Sequence, residues 1–210
     1  MSSSAKNNIL KKIRLALTHS TPIPFPQSEG NSNFIQPLQQ DIVVEFAEQF
    51  TALQGKFSFC SNQQELQQHF NQLCQQHNWT KVFCEEQQWL PLVSPRIWSD
   101  DIITCDAAIT SCELLVARTG SILISAKNSG RINSVYTPIH ICIAFTSQLV
   151  YDIKDGLVKL QQKYKNNLPS MITLATGPSR TADIEKTLVV GVHGPKEVYL
   201  FLVDDLGNAS

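Results

Sequence analysis

The chain carries almost no net charge: 17 Lys and Arg stand against 18 Asp and Glu, giving -1, and only 17% of the residues are charged. Such a balance argues against bare nucleic acid as a partner, which needs a basic face. No apolar run approaches the ~20 residues required to cross a bilayer, so no transmembrane segment is expected. The six cysteines (Cys60, Cys74, Cys84, Cys105, Cys112, Cys142) form no C-x-x-C pair. Without a secretory apolar region at the N-terminus they are expected to be reduced structural thiols, not a disulfide framework. The same lack of pattern implies that this chain itself holds neither an iron–sulfur cluster nor a structural zinc. There is no G-x-S-x-G, H-E-x-x-H or P-loop either, which leaves the common hydrolase, zincin and nucleoside-triphosphate readings without support. A soluble, cytoplasmic protein is the expectation.

What is present is a rhythm of helices and strands after an unusual start. Ile9, Leu10, Ile13 and Leu17 recur at helical spacing among Lys6, Lys11, Lys12 and Arg14, which predicts a basic amphipathic helix docking on the body or on a partner. Pro22, Pro24, Pro26 and Pro37 punctuate the stretch that follows, an arm or linker. The division expected is an N-terminal helix and proline-rich arm over 1–37 and an α/β domain over 38–210. At 210 residues the chain can bury roughly 70% of its unfolded surface without staples.

Within the larger part, Asp41–Leu53 and Asn62–His77 read as helices, and Lys56–Cys60 and Lys81–Cys84 as strands between them. Alternation of this kind implies parallel pairing. Ala107–Ile109, Glu113–Ala117, Ser121–Ser125 and Ile139–Phe145 are strand-like but too close together for crossover helices, which predicts antiparallel pairs inserted in the sheet. Asp152–Lys165 returns to helix. The fold class expected is α/β, with a mixed, mostly parallel sheet flanked by helices and an N-terminal helical arm.

The C-terminal stretch carries the most chemistry. Met171-Ile-Thr-Leu-Ala-Thr176 reads as a strand, Gly177-Pro178 as a turn, the segment to Glu185 as helix-like, and Glu197–Val203 as a second strand. A glycine turn between strand and helix aims free N–H groups outward and suits an anion. Gly120 permits close backbone approach beside the Ser121 hydroxyl, and Arg131 and Arg180 present planar forks suited to a carboxylate or phosphate. Plainer readings stand beside these. Gly177-Pro178 simply starts a helix, Arg180 pairs with Asp183 or Glu185, and His140 packs in an apolar strand. His193, between Gly191 and Gly194, is a catalytic or binding candidate because histidine titrates near neutrality. Glu113 is a candidate base or nucleophile without an identified partner.

These residues also carry a family likeness. Thr176-Gly-Pro-Ser-Arg-Thr-Ala-Asp-Ile-Glu185, followed by Leu188-Val-Val-Gly-Val-His-Gly-Pro195, closely resembles the signature of bacterial lactate-utilisation protein C. That family shares its core, the LUD domain, with lactate-utilisation protein B. Ile109-Thr-Ser-Cys-Glu113, Ala117-Arg-Thr-Gly-Ser121, and Gly130-Arg131 leading to Pro138-Ile-His140 look like further family blocks in family order. The resemblance implies a fold similar to the sugar-isomerase and CoA-transferase-like folds. It further implies a cluster-free accessory subunit acting with iron–sulfur partner proteins that oxidise L-lactate to pyruvate, with no cofactor of its own.

On this reading Gly177, Ser179, Arg180, Thr181, His193 and Gly194 form an anion-binding pocket for a small ligand, with Gly120, Ser121 and Arg131 on its other wall. The rival is a stand-alone enzyme of that fold acting on a phosphorylated sugar, folate or CoA thioester; the fold does not choose between them. Arg118 departs from the family, many of whose members carry an acid there.

Overall fold

The computed structural model describes residues 3–18, 37–127, 132–184, 187–191 and 193–206, with the side chains of 3–5, 17 and 181–190 left aside. The chain divides into two compact units, residues 1–37 and 38–210. In the first, α1 (Ser3–Leu17) turns Ile9, Ile13 and Leu15 to solvent together with Lys6, Lys11, Lys12 and Arg14.

The second unit opens with α2 (Ile42–Ala52). Asp41 caps it by accepting from the Val43 and Val44 N–H groups, and Phe46 and Phe50, four apart, form its buried stripe. Then come β1 (Lys56–Cys60), α3 (Gln63–His77), β2 (Val82–Phe83), β3 (Trp98–Ser99), β4 (Ala107–Ser111), β5 (Leu114–Val116), β6 (Ser121–Ser125), β7 (Ile139–Phe145), β8 (Leu149–Val150), α4 (Ile153–Tyr164), β9 (Ile172–Ala175), β10 (Arg180–Ile184), β11 (Thr187–Val190) and β12 (Glu197–Val203). Six strands make one all-parallel sheet in the order β1-β12-β7-β4-β2-β3. A second sheet, β8-β5-β6-β9, is mixed. The mostly parallel α/β class read from the helix–strand alternation is the one observed.

Burial on both faces explains why β4, β7 and β12 read as continuous apolar runs instead of alternating ones. One face packs Ile109, Ile141, Tyr199 and Phe201 against Leu66 and Phe70 of α3. The other packs Cys142, Ala144, Leu200 and Leu202 against Phe46 and Phe50 of α2 and against Leu115 and Ile122 of the second sheet. All six cysteines are buried and unbridged. Burial pushes the thiols of Cys60, Cys74, Cys84 and Cys105 up to about 11.

Two expectations are corrected. The segment after Gly177 is no helix: β10 pairs antiparallel with β11, Arg180 opposite Val190 and Thr181 opposite Val189, with a register shift before Ile184. Leu188-Val-Val190 is a β-favouring run that needs a partner, and the preceding residues supply it. The antiparallel strands are also not inserted in the main sheet. Leu114–Val116 and Ser121–Ser125 pair in the separate second sheet, while Ala107–Ser111 and Ile139–Phe145 lie in the middle of the parallel one.

Candidate functional site

Two turns close on the last turn of α2. Gly120 ends a short 3-10 turn in the left-handed region, at φ +58, and Gly177 follows β9 at φ +80. A Cβ on Gly120 would lie 2.5 Å from the Phe50 nitrogen, and one on Gly177 would lie 2.6 Å from the Leu53 carbonyl oxygen. Glycine is what lets both turns approach a helix backbone so closely. Between them the Ser121 hydroxyl lies 2.8 Å from both Thr119 Oγ1 and Thr176 Oγ1. Arg180 Nη2 donates to the Leu53 carbonyl at 2.7 Å, meeting an otherwise orphaned acceptor at the helix end. The side chain of Asp183, and Glu185 as a whole, lie outside the described residues.

A second group forms one residue away. Strand alternation places Ser179 apart from Arg180. The Ser179 N–H donates to the Pro195 carbonyl, and its carbonyl accepts from the Gly191 N–H, both at 2.9 Å. Gly194 packs so tightly on it that a Cβ there would be 2.9 Å from Ser179 Cβ. These bonds fasten the β10–β11 hairpin base to the start of β12, where the Lys196 N–H donates to the Pro138 carbonyl at 2.8 Å. The result is an open cleft of about 450 Å³ at the amino ends of β7 and β12. Val135, Tyr136, Thr137 and Pro138 line one side, and Gly191, His193, Gly194 and Lys196 the other. A Cβ on Gly191, itself at φ +80, would lie 2.2 Å from Lys196 Cγ, so the lysine stem lies directly over that glycine.

The structure thus distributes the residues singled out in sequence. His193 and Gly194 line the cleft, with Ser179 packed behind Gly194. Gly120, Ser121, Gly177 and Arg180 gather at the end of α2. Thr181 lies in β10 opposite Val189, and its side chain is outside the description. Gly130 and Arg131 lie outside the described residues. Sequence reasoning passed over Lys196, although a lysine directly after Gly194-Pro195 and before a buried strand is forced to stand at the strand's mouth.

Glu113 sits elsewhere, with its side chain 1% exposed. It accepts from Ser125 Oγ at 2.5 Å, Tyr164 OH at 2.6 Å and Lys163 Nζ at 2.7 Å. Burial pushes its carboxyl up, but Lys163, Ser125 and Tyr164 together hold it below the usual range. Arg118 Nε meets Asp152 Oδ2 at 2.5 Å, and Asp152 also caps α4 through the Lys154 N–H. Arg118 therefore braces a helix start.

His140, the second residue of β7, is fully enclosed with Nε2 2.8 Å from Thr110 Oγ1. Burial lowers its pKa to about 4. An unfolded histidine, near 6.5, binds a proton that the folded one refuses, so stability must fall on acidification from that value towards 4. Urea titrations should lose about 1 kcal/mol between pH 7 and pH 5.5 through this residue alone. A flat profile over that interval would place His140 in contact with water.

Among the described residues no group of three or more His, Cys, Asp or Glu could hold a metal ion, and no helix is long and apolar enough to cross a membrane.

Residues 86–203 match the LUD domain family. "Lactate utilization protein C" of Bacillus subtilis is 38% identical over 103 residues, covering 48% of this chain and 43% of that protein. The protein of that name in Deinococcus radiodurans is 29% identical over 111 residues, covering 52% of this chain and 51% of its own. An uncharacterised protein of Neisseria meningitidis serogroup B is 32% identical over 108 residues, covering 50% and 46%. The chain spans about half the length of the curated relatives it matches. The crystal structure of a DUF162 family protein from Deinococcus radiodurans superposes with a TM-score of 0.62 over 80% of this chain and 99% of that one, at 18% identity. That likeness is one of fold.

Proposed function

This chain belongs to the LUD domain family, and on that premise we propose that it is a cluster-free, ligand-binding component of a cytoplasmic system that oxidises L-lactate to pyruvate. Iron–sulfur proteins would be its partners and carry the electrons. Its ligand is a small anion, a carboxylate or phosphate, held in the cleft between Tyr136-Thr137-Pro138 and His193-Gly194. The names of the relatives in Bacillus and Deinococcus support the lactate context.

One observation carries the ligand assignment: a lysine and a histidine share one open cleft with a tyrosine and a threonine. A cation and a hydroxyl donor, here Tyr136, beside one concavity are what a carboxylate or phosphate requires; the Thr137 hydroxyl is already given to the Ile139 carbonyl at 2.9 Å. Lys196 brings the charge, and its stem is fixed over Gly191. His193 adds a ring nitrogen able to donate or, when protonated, to add charge. Arg180 contributes differently, by holding α2 to the hairpin that carries the cleft.

Calorimetry with L-lactate, pyruvate and inorganic phosphate tests this. The double substitution Lys196→Met, His193→Ala should weaken binding of the preferred anion by about 100-fold, the worth of two charge-assisted hydrogen bonds. Arg180→Ala should leave the affinity within about threefold, because its work is structural. Equal affinity for wild type and the double variant would remove the cleft from the binding site.

A further inference from the structure

β1 is the outermost strand of the parallel sheet, and β12 is its partner. Among the described residues no strand pairs with its other edge. Such an edge is a row of unpaired N–H and C=O groups, and proteins usually blunt it with charge, proline or a bulge. β1 has none of these along its middle. Its one charge, Lys56, stands at the end and is already paired with Glu197 at 2.6 Å. Strand alternation fixes which way the rest face. Ser58 points towards α3, its hydroxyl 2.9 Å from His69 Nδ1, and Cys60 lies in the core with Leu66 and Phe70. Phe57 faces α2, with its ring 6.2 Å from that of Phe46, and Phe59, on the same side, is 41% exposed.

We propose that two copies of this chain pair through β1, antiparallel and centred on Ser58, so that two six-stranded sheets become one continuous sheet. The occupant is a second copy because the strand is self-complementary. Phe57-Ser58-Phe59 reads the same in both directions. A two-fold axis at Ser58 therefore sets Phe57 opposite the partner's Phe59, and Phe59 opposite the partner's Phe57. Two aromatic cross-strand pairs result, and the exposed ring is covered.

The charges at the two ends agree with this direction. Lys56 opens the strand. Its far end is followed by an acid, Glu65, which accepts from the Ser61 N–H at 2.6 Å. Antiparallel pairing carries each lysine towards the other copy's acidic end. A parallel pairing would set lysine beside lysine. This dimer is independent of the ligand proposed for the cleft.

Sedimentation equilibrium of the full chain from micromolar to about 200 µM tests it, since mass action separates the species over that range. The wild type should be dimeric at the upper end. Phe59→Lys, which changes an exposed residue twice per dimer, should raise the dissociation constant about 100-fold or more with an unchanged circular dichroism spectrum. Ser58→Cys tests the register. Oxidation by diamide, which takes two electrons and two protons from the pair of thiols, should give a dimer on a non-reducing gel that dithiothreitol dissolves. The native thiols are all buried, so the wild type should give little. A wild type that is monomeric throughout, a Phe59→Lys chain that stays dimeric, or a Ser58→Cys chain that does not cross-link overturns the proposal.

Discussion

Gly120→Ala should cost about 3 kcal/mol or more of folding stability, the sum of a left-handed backbone cost and overpacking. The backbone there is at φ +58, ψ +34, and its N–H closes the preceding turn onto the Ala117 carbonyl at 3.2 Å. A methyl group would sit 2.5 Å from the Phe50 nitrogen, 2.6 Å from the Gln49 carbonyl carbon and 2.8 Å from Phe50 Cα. These are backbone atoms of a hydrogen-bonded helix, so no rotamer change relieves the clash. α2 would have to withdraw, and with it the stacked pair Phe46 and Phe50, both fully buried. Gly156 supplies the control. It lies in α4, and the nearest atoms to an added Cβ are 3.7 Å away, an ordinary contact. Gly156→Ala should be neutral or stabilising by up to about 1 kcal/mol, the usual helix gain. Urea midpoints for the two variants should therefore move in opposite directions, and a Gly120→Ala midpoint near wild type would refute the close approach.

The same glycine shows what a sequence makes legible. Gly120 was visible as a residue admitting close backbone approach and Gly177 as a turn, but not what would approach either; the answer, α2, lies far away in the chain. Local rules served well where the force is local. The Asp41 and Asn62 caps mark helix starts that the apolar spacing of Phe46 and Phe50, or of Leu66 and Phe70, continues. They failed after Gly177, where Pro178 and the acids Asp183 and Glu185 mimic a helix start while the real decision is taken by Leu188-Val-Val190, which recruits a strand.

The cleft was half legible. His193 stood out by its flanking glycines, whereas Lys196 gains meaning only because β7 and β12 are neighbours and begin at the same level. Pairings such as Arg118 with Asp152 or Lys163 with Glu113 join residues 34 and 50 positions apart. Spacing alone has no access to them. For Arg118 this matters chemically: its guanidinium is committed to a helix-capping aspartate, so its work in the structure is bracing.

Glu113→Ala should be the most damaging removal of a single polar group, at about 3 kcal/mol, the cost of breaking a buried, hydrogen-bonded charge. The loss comes less from Lys163, whose side chain is 55% exposed and returns to water, than from the donors that cannot leave. Tyr164 and Ser125 are buried, and each would be left with a hydroxyl facing a cavity. A cycle with Tyr164→Phe should show coupling of about 1 kcal/mol or more, since the two share one hydrogen bond in a single network. The pH dependence separates this from simple loss of packing. The folded carboxyl titrates below its ordinary value, so its contribution is complete above the unfolded value near 4.5 and disappears as pH falls through the folded one. The gap between wild type and Glu113→Ala should therefore be widest near neutrality and narrow in acid. A gap that stays constant into acid would mean that the carboxylate's charge contributes nothing. Anion affinity supplies the other half of the test. Glu113 does not line the cleft, so the variant, less stable but folded, should bind phosphate or lactate as wild type does. A loss of binding without a loss of stability would reverse the assignment and make Glu113 a ligand-handling residue.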